Sequence, residues 1–142
     1  MTSVKKSKEA HKKLGQKGEK WAAAELKKLG LDVLMMNYSV HNTGEIDIIA
    51  RDGSCLCFIE VKTRKFSWNS TPSEAVTSDK KLRLWKTAKN YLNKIHCPEM
   101  LFRFDTVEIV VDKNYRFKSF NHIPNSFNEE DIIKIRSAFA KR

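Results

Sequence analysis

The sequence predicts an α/β domain in which a mixed β-sheet is flanked by helices, with the core order α-β-β-β-α-β. Three observations predict it. Two long basic segments carry apolar residues at helical spacing, three short apolar runs lie between them, and a further strand-like run follows the second segment. Helices alternating with strands in this order imply a sheet with both parallel and antiparallel neighbours.

The elements follow in chain order. Residues 1–13 carry Lys5, Lys6, Lys8, Lys12 and Lys13 with almost nothing apolar, so they are expected to form a flexible basic arm. From Leu14 to Leu29 the residues Leu14, Trp21, Ala22, Leu26 and Leu29 mark one helical face, and Gly30 stands in the stop position. Leu31 to Tyr38, Glu45 to Ala50 and Cys55 to Lys62 read as strands. The last two are joined through Asp52-Gly53, a strong hairpin signal. Pro72 breaks the chain, and Ser78-Asp79 offers an N-cap for a helix through about Ile95. Its inner stripe is Leu82, Trp85, Ala88, Tyr91 and Leu92. Phe102 to Val111 and Tyr115 to Phe120 read as strands, and Glu129 to Phe139 closes the chain as a helix. With no repeat and no linker, residues 14–142 are expected to form a single domain.

The chain has 142 residues, 41% hydrophobic and 31% charged, a balance that fits neither a disordered polyelectrolyte nor a membrane protein. No apolar stretch is long enough to span a bilayer, and Met1 to Leu14 lacks a signal-peptide core. The expected location is cytoplasmic, with no membrane partner. Lys plus Arg number 27 against 17 for Asp plus Glu, a net charge of +10. A surplus of that size attracts polyanions, nucleic acid first among them, although an anionic membrane surface or solubility alone would also use it. The three cysteines are too few and too uneven for a disulfide framework. Cys55 and Cys57 read as small core residues, since no second close pair completes a metal site.

Chemistry concentrates in Gly44-Glu45-Ile46-Asp47-Ile48-Ile49-Ala50 and Phe58-Ile59-Glu60-Val61-Lys62, where three charges stand inside apolar strands. Such charges need partners, a metal or a cleft. Strand alternation puts Glu60 and Lys62 on one face, about 7 Å apart. With Asp52-Gly53 as the turn, Asp47 falls opposite Phe58 and diagonal to Glu60, at roughly 7–8 Å. Two carboxylates so placed can share a hard divalent cation such as Mg²⁺, with Mn²⁺ as a substitute, and a neighbouring lysine can orient water or offset charge on phosphate oxygens. That combination suits phosphodiester hydrolysis. The competing reading makes Glu60 and Lys62 a solvent-facing pair and Asp47 a loop cap.

Arg64 and Lys65 follow this strand, and Lys80, Lys81, Arg83, Lys86 and Lys89 are expected on the outer face of the second helix. Arg64, Lys65, Lys80, Lys81 and Arg83 are the candidate nucleic-acid contacts, a solvated helix face being the plain alternative. Trp68 is expected to pack under its loop rather than stack on an unpaired base. The four histidines show no metal-ligand spacing.

Gly18-Glu19 with Ala22, the Gly44 to Ala50 run, Phe58-Ile59-Glu60-Val61-Lys62-Thr63-Arg64, Pro72-Ser73-Glu74-Ala75-Val76 and Arg103-Phe104-Asp105 together resemble the YraN family. These bacterial proteins are similar to Holliday junction resolvases and to the wider PD-(D/E)xK, restriction-endonuclease-like nucleases. The resemblance covers nearly all the chain after the basic arm. It implies a restriction-endonuclease-like fold, Asp47 and Glu60 as metal-binding acids, Lys62 as the catalytic lysine, and Glu19 as a further acid from the first helix. It also implies a homodimer acting as an endonuclease on DNA, branched or structured. The alternative is a nucleic-acid-binding module of the same fold without catalysis. Two departures stand out: Ser39 where the family usually has arginine, and Asn69-Ser70 where a glycine usually precedes Thr71-Pro72.

Overall fold

The structure is a computed structural model that describes residues 3–68 and 76–140. Its elements are α1 (Ser3–Lys28), β1 (Asp32–Val40), β2 (Gly44–Asp52), β3 (Cys55–Lys65), α2 (Ser78–Lys94), β4 (Phe102–Val111), β5 (Phe117–Phe127) and α3 (Glu129–Ala140). The five strands lie in the order β1-β2-β3-β4-β5. Only β3 and β4 run parallel, and α2 is the crossover between them. This is the mixed, helix-flanked α/β architecture of the restriction-endonuclease-like kind. The Asn69-Ser70 departure and the Pro72-Ser73-Glu74-Ala75 part of the family motif lie outside the described residues.

Helices cover both faces of the sheet. On one, Ala22, Ala23 and Leu26 of α1 pack against Ile48, Ala50, Cys57, Ile59, Val107 and Ile109. On the other, Leu84, Ala88 and Leu92 of α2 and Ile132 of α3 cover Ile49, Leu56, Phe58 and Phe104. Alternation along β3 explains the split: Cys57 and Ile59 face α1, Leu56 and Phe58 face α2, and so Glu60 falls on the α2 side.

Several expectations are corrected. The first helix begins at Ser3 instead of Leu14, so the described part of the basic segment is helical. Lysines, Ala10 and Glu9 are good helix formers, and no breaker precedes Gly15. Leu29 lies beyond the helix and is 57% exposed. The chain turns away there in a Schellman motif: Leu31 N donates to Leu26 O (3.1 Å) and Gly30 N to Lys27 O (3.0 Å). Gly30, at φ 93°, supplies the left-handed residue this cap requires, and buried Leu31 packs with Leu26. The cap of α2 is Thr77, whose hydroxyl accepts from Lys80 N at 3.3 Å. The inner stripe of α2 includes Leu84 and Thr87 as well as Ala88 and Leu92. Thr87 is tolerated there because its hydroxyl donates to Arg83 O at 2.7 Å. β5 continues to Phe127, with bulges against β4 and Asn125 at φ 52°. Such bulges break the period-2 pattern by which its length would be read. Trp68 does not pack under its loop: it is 91% exposed, touching Phe66 edge-on with 5.1 Å between ring centroids.

Candidate active site

The β2–β3 ladder begins at Asp52↔Cys55 and ends at Ile48↔Ile59. The next position in register sets Asp47 across from Glu60. The turn is therefore Gly53-Ser54, not Asp52-Gly53, and Asp47 lies opposite Glu60 where Phe58 was expected. Gly53 at φ 61° takes the first central position, which a type II′ hairpin reserves for glycine. The slip is two residues, an even number, so Asp47 and Glu60 stay on a common side and both reach one cavity. Past the last pair, the Val61 N–H donates to Asp47 Oδ2 at 2.8 Å. A side chain thus takes over from the backbone ladder at the fork.

Glu19 reaches this point from α1 because Gly18 precedes it. A Cβ on Gly18 would meet Thr63 Oγ1 at 1.8 Å, so α1 approaches β3 more closely than any side chain would permit. Asn37 lies beside the Glu19 carboxyl and favours its charged form, and it holds a backbone at φ 56°, a conformation asparagine tolerates. Burial pushes the Asp47 carboxyl up, the neighbouring Glu60 charge adds to this, and the Val61 N–H opposes it. The result is a pKa pushed up to about 8. Glu19 is also raised, first by burial, with the Asn37 hydrogen bond opposing and the charge of Glu45 adding. These acids repel one another, and a bound cation would relieve that. Among the described residues no group of three or more His, Cys, Asp or Glu side chains is arranged to hold a metal ion. The donor set that fits is a pair of carboxylates, Asp47 and Glu60, with water completing the coordination of a hard cation.

Both acids line a cavity of about 420 Å³, together with Gly44, Glu45, Thr77, Asp79, Lys80, Arg83 and Leu84. Gly44 brings α2 close to β2 here: a Cβ would stand 2.9 Å from Thr87 Oγ1. Lys80 and Arg83 therefore face the cavity, contrary to the expected outer face. Lys80 sits in the first turn of α2, and its Nζ lies 2.6 Å from Glu60 Oε1. Burial alone would lower its pKa, but the hydrogen bond and charge of Glu60 outweigh this and raise it.

The other candidates are scattered. Lys62 is half-buried across the parallel ladder from Glu108 and is not among the described residues lining the cavity. Arg64 is tied to Glu108 at 2.6 Å. Arg64 and Lys65 line a separate cavity beside Ser7, Ala10 and His11 of α1, and Lys65 Nζ lies 4.8 Å from the centre of the Tyr115 ring. Lys81 Nζ stands over Phe127 at 5.5 Å. Asn37 and Glu45 belong to the cluster, although nothing in their own sequence spacing marked them. Burial pushes the Cys57 thiol up to about 12, as suits a core residue, whereas Cys55 is half-buried and Cys97 exposed.

A restriction-endonuclease-like α/β fold with a crowded acid cluster beside a cation-rimmed cavity defines the class of protein. Within it, residues 18–109 match the model of the uncharacterised protein family UPF0102. A UPF0102 protein of Chloroherpeton thalassium is 41% identical over 127 residues, covering 88% of this chain and 92% of the relative. Others are that of Chlorobium limicola, 42% identical over 121 residues (82% and 93% covered), and that of Caldicellulosiruptor saccharolyticus, 35% identical over 116 residues (82% and 98%). The chain belongs to UPF0102, the YraN family. No described helix is long and apolar enough to cross a membrane.

Proposed function

We propose that this protein is a metal-dependent endonuclease that hydrolyses phosphodiester bonds of DNA, branched or otherwise structured. The observation that carries this reading is the pairing of Asp47 and Glu60 at one cavity, with the charge of Glu19 from α1 near enough to raise the Asp47 pKa. A structural domain gains nothing from buried acids that repel one another. Asp47 and Glu60 would hold Mg²⁺ or Mn²⁺, with Glu19 fixing the orientation of Asp47 or joining the coordination. When bound, the ion supplies positive charge against the phosphate oxygens and acidifies water. Lys62, which strand alternation puts on the same face of β3 as Glu60, would orient the attacking water or offset charge on the phosphate. Arg83 lines the mouth of the cavity and binds the DNA backbone. The +10 net charge supports association with the polyanion.

The test is incubation of end-labelled linear, single-stranded, flapped and four-way DNAs with Mg²⁺ or Mn²⁺, using wild type, Asp47→Asn and Lys62→Ala. Wild type is expected to cut at least one substrate, and each variant to lose about 100-fold or more in rate. Cutting that survives Asp47→Asn would exclude this site. Binding without cutting under every condition would favour the non-catalytic nucleic-acid-binding module.

A further inference from the structure

We propose that Lys80 is an exchangeable counter-ion of Glu60. Its ammonium holds the cation position in the metal-free protein and is released towards substrate phosphate when a divalent ion takes the carboxylate. The inference rests on the metal-dependent reading above and adds a coupling between metal and DNA that the reading does not contain.

The geometry separates a fixed partner from a movable one. Glu60 is a buried strand residue, with only 10% of its side chain exposed, whereas the Lys80 side chain is 53% exposed. The Lys80 backbone is held by the Thr77 cap, so the four-carbon stem is the part free to swing. Lys80 Nζ and Glu60 Oε1 are 2.6 Å apart. A divalent ion coordinates a carboxylate oxygen at about 2.1 Å. Two cations that close to one oxygen repel strongly in a partly desolvated cleft, so occupancy by the ion expels the ammonium. The stem then turns to the open side of the cavity, where Arg83 lies one helical turn along α2. Together they present two cations to a phosphate. The metal therefore competes with Lys80 for Glu60 and cooperates with DNA through the same side chain.

Isothermal titration of the full-length protein with Mn²⁺ alone, and with Mg²⁺ alone, tests this on wild type, Lys80→Gln, Lys80→Arg and Lys62→Gln. The expected result is that K80Q binds Mn²⁺ at least about fivefold more tightly than wild type. K80R, which keeps a cation on Glu60, should stay near wild type, and K62Q should tighten less than K80Q. Thermal melting without metal shows that the variants are folded. A K80Q affinity equal to or weaker than wild type overturns the exchange, as does equal tightening in K62Q. Wild type that binds neither ion overturns both this inference and the proposed function. Wild type that binds while K80Q fails to tighten leaves the proposed function standing and removes only the exchange.

Discussion

Asp47 and Asp105 both sit inside apolar strands, yet they experience opposite surroundings. Asp105 on β4 is fully buried and saturated with donors. Arg103 Nε donates to it at 3.0 Å, the His122 ring nitrogen lies at 2.8 Å, and Asn125 N donates at 2.9 Å. Burial alone would raise its pKa, but the hydrogen bonds from His122, Arg103 and Asn125 more than offset this and hold it below the usual carboxylate range. Arg103 in turn reaches Asp52 at 3.1 Å. Asp47 on β2 receives the Val61 N–H and otherwise faces Glu60 and Glu19, so its pKa is pushed up to about 8. A charge inside a strand is therefore not itself a sign of chemistry. What separates a structural acid from an available one is whether its neighbours neutralise it or crowd it.

The contrast is sharpest in substitutions that should move stability in opposite directions. Asp105→Ala removes the centre of a satisfied buried network and strands Arg103, at a cost of about 3–5 kcal/mol. Urea denaturation should show this as a clearly lower midpoint. Asp47→Asn relieves repulsion and should leave the metal-free protein as stable as wild type or about 1 kcal/mol more so. Losses in both variants would erase the distinction. Gly18→Ala comes next. Helix propensity alone would favour alanine by up to about 1 kcal/mol, but the 1.8 Å approach to Thr63 Oγ1 should turn this into a net loss of about 1–3 kcal/mol. Thr63→Ala in the same chain should recover part of it. A stabilised Gly18→Ala would mean that α1 does not lie where Glu19 needs it.

The smallest effect is one of pH, and its sign again divides the two acids. The folded-state pKa of Asp105 is depressed below 3.8, so its contribution to stability is complete above that value and disappears as pH falls through the lower one. The gap between wild type and Asp105→Ala should narrow in acid. For Asp47 the folded-state pKa is raised, so its penalty is absent below 3.8 and grows until about pH 8. The advantage of Asp47→Asn should accordingly grow between pH 4 and pH 8 (an interval of about 4 units in which the cost accumulates). Proton release must precede coordination. The thermal shift produced by Mg²⁺ in wild type should therefore be larger at about pH 8 than at about pH 6. A shift unchanged by pH would separate Asp47 from metal binding.

Local features of the sequence revealed the sheet and much of the site. The β2–β3 hairpin announced itself through apolar runs and a glycine turn. The parity of the strands kept Asp47 and Glu60 on a common face even though the expected register was two residues out. What stayed hidden depends on contacts between distant segments. Glu19 carries no local mark, because its position near Asp47 comes from α1 crossing β3 at Gly18, and only the family resemblance pointed to it. Lys80 reads from the sequence as an outer-face contact for nucleic acid, because a run of lysines gives a helix face no direction. Its inward turn follows from where the Thr77 cap starts α2 and from how closely Gly44 lets that helix approach. The network around Asp105 spans a bulge between β4 and β5, and bulges leave no period to read.

The hydrogen bond from the Val61 amide makes Asp47 a main-chain splint as well as an acid. The choice of replacement consequently decides what a mutant reports. Alanine would strand that amide and loosen the mouth of the hairpin, mixing a structural defect into any loss of function. Asparagine can still accept the amide proton while giving up the charge, which makes it the cleaner probe of electrostatics at this position.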